Sequence, residues 1–117
     1  MKRDDDYLRQ LLFEIEKDPD RIVMFPQFIS MPEEDIKRLY HAELLSDSGF
    51  LARISQYGFR LTNQGHDYIA AIRDEGVWAQ TKRTVSETGG SATLDIIKQI
   101  AIAFLKKKIS DQTGIDI

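Results

Sequence analysis

The first apolar positions of the chain, Tyr7, Leu8, Leu11, Leu12 and Ile15, recur at helical spacing and predict an opening amphipathic helix. Asp4 to Asp6 stand ahead of it, where carboxylates cap free N–H groups and meet the positive end of the helix dipole. Asp18-Pro19-Asp20 stops it, because a proline disfavours helix at the residue before it. Arg21 to Phe25 then reads as a short β-type run closed by Pro26, with Gln27 to Ile29 as an irregular extension. Ser30-Met31-Pro32-Glu33 predicts a second helix, with Ser30 as cap, Pro32 in the first turn and Glu33 completing a capping box. Ile36, Leu39, Tyr40, Leu44 and Leu45 form its expected buried stripe. Gly49 is placed to end it in a left-handed turn, with Phe50 folding back onto the helix.

The period then changes to that of strands. Leu51 to Ser55 and Phe59 to Leu61, joined through Gln56-Tyr57-Gly58, predict a short hairpin whose Leu51, Phe59 and Leu61 alternate towards a core. Thr62 is the expected cap of a further helix burying Tyr68, Ile69 and Ile72, and Gly65 allows that helix to lie close to the hairpin. Beyond Gly76 comes a segment around Val77, Trp78, Thr81 and Val85. Gly89-Gly90 is a flexible break. The last helix starts at Ser91 or Thr93 and carries Leu94, Ile97, Ile100, Ala101 and Phe104 on one face, while residues 110–117 are expected to fray.

This order predicts an α+β, mostly helical, single winged-helix domain with a short β-hairpin wing. Its core covers about residues 4–75 and its C-terminal helical extension about residues 77–109. The central signature is Leu44-Leu45-x-x-x-Gly49-Phe50-Leu51, then the wing, then Leu61-Thr62-x-x-Gly65. With Tyr40-His41, Gly65-His66-Asp67, Ala71-Ile72-Arg73-Asp74 and Val77-Trp78, the chain resembles a bacterial and prophage family known as domain of unknown function 2513, over nearly its whole length to Leu105. Between Thr62 and Gly65, where members of that family often carry Trp and an acidic residue, this chain has Asn63-Gln64. The resemblance implies a winged-helix fold and brings no catalytic residue or ligand with it.

Composition narrows the function classes. With no cysteine there is neither a disulfide framework nor a thiolate metal site. The charged start, Met1-Lys2-Arg3-Asp4, has no apolar stretch of the signal-peptide kind, and no apolar run approaches the ~20 residues that span a bilayer, so a cytoplasmic location is expected. The net charge of -3 excludes a strongly basic domain. Charge is uneven: residues 1–50 hold seven basic and twelve acidic side chains, whereas the C-terminal part is mildly basic through Lys106, Lys107 and Lys108.

The candidate chemistry is nucleic-acid binding. A winged helix enters the major groove with its third helix and touches backbone with its wing. Here the equivalent helix offers Lys37, Arg38 and His41, and the wing offers Arg53, Gln56, Tyr57 and Arg60. Arginine and lysine hold phosphates or read guanine edges. Glu33, Glu34 and Asp35 stand against this, at the helix start where phosphate would approach. The stretch between Pro19 and Ser30 is also too short for a full second helix and its turn. The leading expectation is a DNA-binding or transcription-regulatory module acting on double-stranded DNA. The alternative is a protein-interaction module, working as a homodimer or with another protein. A contiguous basic face would favour the first, and acidic groups mixed into that face the second.

Other chemistry finds little support. His41 and His66 are the only histidines, a metal site needs three or four convergent ligands, and only His66-Asp67 are adjacent. Neither a phosphate-cradling glycine loop nor a nucleophile context is present, so no enzyme, cofactor, small-molecule substrate or membrane role is expected. The last helix is apolar on more than one face. Ile96, Ile100 and Phe104 are its candidate self-association residues.

Overall fold

The computed structural model describes residues 1–117. In chain order it contains α1 (Asp5–Lys17), β1 (Val23–Met24), α2 (Glu33–Asp47), β2 (Leu51–Arg53), β3 (Gly58–Leu61), α3 (Asn63–Ile72), α4 (Glu75–Glu87) and α5 (Leu94–Thr113). The fold is mostly helical with one small antiparallel sheet, as the winged-helix pattern predicts. The chain forms two compact units, Met1–Ile69 and Ala70–Ile117.

In the first unit, α1 is capped by Asp4, whose side chain accepts the Tyr7 N–H at 3.0 Å, and its last turn closes at Asp18. Its apolar stripe is the expected one: Leu8, Leu11, Leu12 and Ile15 are buried. The sheet has the order β1-β3-β2, so the hairpin is extended by the short run after α1. Val23 pairs with Phe59 and Leu51 with Leu61, and the Phe25 N–H donates to the Tyr57 carbonyl at 2.7 Å to lengthen the outer edge. The hairpin turns one residue earlier than its glycine suggested, through Ser55 to Tyr57, and Gly58 already belongs to β3. Phe25 and Phe59 meet edge to face at 5.5 Å across the β1–β3 pair.

The junction of α2, wing and α3 rests on two glycines. Gly49 takes φ +82, and the Phe50 N–H returns to the Leu45 carbonyl at 2.9 Å, so the helix stops and the chain reverses. A side chain at Gly65 would fall on the Phe50 carbonyl oxygen, so only glycine lets α3 start this close to the wing. Thr62 ties both together: its hydroxyl donates to the Gly49 carbonyl at 2.5 Å and accepts the Gly65 N–H at 3.0 Å. Phe50 then stacks on Tyr68 at 4.8 Å, both buried.

Two expectations about α2 are corrected. Ser30 does not cap it: Pro32 occupies the cap position without a side-chain bond, and Ser30 sits in the left-handed region at φ +64. The buried stripe is also rotated from the expected one. His41, Ala42 and Leu45 are buried, Leu39, Tyr40 and Leu44 are half-buried, and Ile36 is 42% exposed. Apolar spacing alone placed Ile36 inside. A buried histidine held by hydrogen bonds takes the core position that the spacing gave to apolar side chains.

In the second unit, α4 is capped by Asp74, which accepts the Val77 N–H at 2.9 Å, and its carboxylate also pairs with Lys108 of α5. Ile72, Val77, Trp78, Thr81, Leu94, Ile97 and Ala101 are buried. The last helix runs past Ser110. It continues to Thr113 and ends on Gly114 at φ +72, whose N–H returns to the Ser110 carbonyl.

Candidate functional site

The surface of interest lies on α2 and the irregular segment before it, where a winged helix would face a nucleic acid. Residues Glu33, Ile36, Tyr40, Glu43 and Asp47 follow one another at alternating three- and four-residue spacing, so they share the outward side of α2. None of them is a cation. Glu33, Ile36 and Asp47 are exposed, and Tyr40 and Glu43 are half-buried.

The candidate cations of the same region turn away from that stripe. Lys37 lies 4.5 Å over the Tyr7 ring with its ammonium 3.7 Å from the Asp4 carboxylate. Arg38 donates to Glu14 of α1 at 2.9 Å, and its guanidinium lies 4.7 Å over the Phe25 ring. On the wing, Arg53 donates to the Gln56 carbonyl at 2.6 Å, covers the Phe59 ring at 4.6 Å and stands 3.5 Å from Glu43. Tyr57 gives its carbonyl to the sheet edge, and Gln56 is exposed at the tip. Arg60 is half-buried and reaches only the Leu61 carbonyl, at 3.2 Å. Exposed ion pairs of this kind contribute little stability, about 0–1 kcal/mol. They do balance the charge. Three of the four candidate cations sit beside a carboxylate of the same unit.

His41 is corrected outright as a surface contact. It is 0% exposed, packed between Tyr7 at 4.8 Å and Tyr40 at 5.6 Å. Its Nε2 accepts the Asp4 backbone N–H at 3.0 Å, so the ring proton sits on Nδ1 and is donated to the Lys37 carbonyl at 2.8 Å. The imidazole has no free atom for a ligand. It fastens the start of α1 to α2. Tyr7, which covers it, has its phenol pKa raised above the ordinary value, first by burial and then by the Glu34 carboxylate, with Arg38 opposing.

Beside the α2 stripe the surface is apolar, and the sequence reading did not single this out. Phe28 is 57% exposed and Ile29 94%, at the tip of the loop that Ser30 turns. Behind them opens a groove of about 200 Å³ lined by Met24, Phe25, Phe28, Met31 and Leu39, with Asp35 and Arg38 also on its wall. A sequence signal was present: residues 22–36 contain three carboxylates and no cation, around a series of large apolar side chains.

The candidate self-association residues lie in the second unit. Ile96 is exposed and Ile100 half-buried, while Phe104 lines a cleft between α4 and α5 of about 440 Å³, shared with Asp74, Gln80, Lys107, Lys108 and Asp111. At four-residue spacing the three follow one another along one side of α5. No group of three or more His, Asp or Glu side chains converges as a metal site, and no helix is long and apolar enough to cross a membrane.

No solved structure matches the chain. A Haemophilus influenzae protein described as uncharacterized is 28% identical over 120 residues, covering 94% of this chain and 100% of that one. The model of the family described as hypothetical protein DUF2513 matches residues 2–91, which include the α2 face, the groove and the wing and stop short of α5. The chain belongs to the DUF2513 family.

Proposed function

We propose that this chain is a non-enzymatic protein-interaction module that offers the outward face of α2 and the adjoining loop to a partner protein. The observation that carries the reading is the charge of that face. A helix inserted in a DNA groove needs cations pointing outward to meet phosphate. Here the outward stripe carries Glu33, Glu43 and Asp47 with Ile36 and Tyr40, and Lys37 and Arg38 fold inward onto α1. The exposed Phe28 and Ile29 beside it supply the apolar area that a protein partner would bury.

The test compares the tagged full chain with its Ile29→Asp/Ile36→Asp variant in the producing cells, together with a duplex titration. Both positions are exposed, so the variant keeps the fold. A partner recovered in stoichiometric amount with the native chain and lost with the variant supports the reading. It is overturned if the duplex from the gene's own upstream region is retarded at low salt by micromolar protein. DNA binding would show a salt slope of about 0.9 per phosphate neutralised, flattening by roughly two when Arg53 and Arg60 are both removed.

A further inference from the structure

We propose that His41 is a proton-operated latch: when its imidazole takes up a proton, the start of α1 is released from α2. The device acts within the unit that carries the proposed partner face and does not depend on what binds there.

The ring is fully buried, and a backbone group holds each of its nitrogens. The Asp4 N–H donates to Nε2 at 3.0 Å, so Nε2 carries no proton, and Nδ1 donates its own to the Lys37 carbonyl at 2.8 Å. Only this neutral tautomer fits. A protonated imidazole donates from both nitrogens and accepts at neither. Its new Nε2–H would meet the Asp4 N–H donor against donor, and a ring without exposed surface has no solvent to turn to. Charging the ring therefore requires the Asp4 amide to leave.

No neighbouring group relieves that conflict. α1 brings to this corner the Asp4 carboxylate, the Arg3–Asp5 pair at 2.8 Å and the Tyr7 phenol, while α2 brings Lys37, Glu34 and the Tyr40 phenol. Arg38 and Glu14 bridge the same two helices at 2.9 Å. The Asp4 carboxylate accepts the Tyr7 N–H and stands 3.7 Å from the Lys37 ammonium, and Glu34 accepts from the Tyr7 hydroxyl at 3.4 Å. These carboxylates are engaged, and Lys37 with the positive end of α1 opposes a further positive charge.

Release stays local. Asp4 is the cap of α1, so its departure frees residues 1–4 and the first turn together. Leu11, Leu12 and Ile15 are buried farther along the helix and keep it docked. Tyr40, on the outward stripe of α2, meets the ring edge to face at 5.6 Å, which carries the opening to the face offered to a partner.

Linkage gives the sign. The latched state binds one proton fewer than the released one, so it is favoured at high pH. Its advantage falls by at most about tenfold per pH unit below the range where a free imidazole charges, about 6.5. Magnetic resonance of the isotope-labelled full chain, titrated from about pH 8 to about pH 5 across that range, tests the latch. The Asp4 amide and the His41 Nε2 signals should move with one midpoint, and the Tyr7 amide should lose exchange protection in step. Buried Phe59 and Ile69 should keep theirs, and the exposed His66 supplies a reference titration. Asp4→Asn retains the backbone N–H and a capping oxygen and should retain the step, whereas His41→Gln, which takes no proton, should abolish it. An Asp4 amide that stays fixed while His66 titrates overturns the proposal. So does a step that persists in His41→Gln or vanishes in Asp4→Asn. Should His41→Gln fail to fold, the native and Asp4→Asn titrations decide by themselves.

Discussion

The backbone N–H of Asp4 donates to Nε2 of His41 at 3.0 Å, joining the start of α1 to the middle of α2 across 37 residues of sequence. The bond explains why a histidine stands where the helical pattern of α2 calls for an apolar side chain. Removing the ring takes the partner from the Asp4 N–H and opens a void between Tyr7 and Tyr40, while the Lys37 carbonyl keeps its helical bond from the backbone N–H of residue 41. His41→Ala should therefore destabilise the protein by about 2–4 kcal/mol in urea unfolding. A loss under about 0.5 kcal/mol, the level of an ordinary surface substitution, would mean that the imidazole does not hold the helix pair.

Two positive-φ positions give a matched pair of backbone tests. Gly49→Val forces a β-branched side chain into φ +82, and Ser30→Val does the same at φ +64. Open space surrounds Gly49, so its cost comes from backbone strain alone, about 1–2 kcal/mol. Ser30 already carries a Cβ at positive φ, so Ser30→Val adds only the β-branch and should cost less than Gly49→Val, whereas Ser30→Gly should be neutral or slightly stabilising. Melting temperatures of the three variants decide it, and a native value for either Val variant contradicts the assigned conformation.

Much of the first unit was legible because its signals are local. Gly49, Thr62 and Gly65 specify a helix stop, a cap and a close approach through backbone geometry, and all three act as the sequence implies. The phase of α2 was not legible in the same way. His41 is buried through bonds to Asp4, far away in sequence, so counting apolar residues turned the helix the wrong way and hid the exposure of Ile36. The length of α5 was misjudged because Asp111 and Gln112 lack apolar character, although Gly114 marked the stop. At the candidate site, basic residues drew attention by type, yet Lys37, Arg38 and Arg53 are occupied by Asp4, Glu14 and Glu43. Which carboxylate meets which cation is a tertiary fact. The exposed loop around Phe28 and Ile29 was read as irregular chain, since nothing local separates an apolar loop that packs from one that protrudes.

Burial of Tyr68 gives a pH dependence. Its phenol pKa is raised well above the ordinary 10.0, chiefly by burial, then by the Asp5 carboxylate, with Arg3 and Arg9 opposing. A raised folded-state pKa contributes stability that is fully present below the unfolded value and is lost as pH rises towards the folded one. Unfolding free energy should then fall as pH climbs past about 10, where the unfolded tyrosine ionises first. Tyr68→Phe keeps the stacking on Phe50 and should lose this share of the alkaline decline. Identical slopes for the two proteins between pH 9 and pH 11, on the order of one unit either side of the free phenol, would show that the ring is not sequestered.

Photocrosslinking inside the producing cells reads directly which face of the first unit meets a partner. A benzophenone amino acid is placed at Phe28 in one protein and at Gln56, the exposed tip of the wing, in another. A single adduct is expected at Phe28, destroyed by protease and untouched by nuclease, with little or none at Gln56. A nuclease-sensitive adduct at Gln56, with Phe28 silent, would contradict it and return the function to nucleic acid.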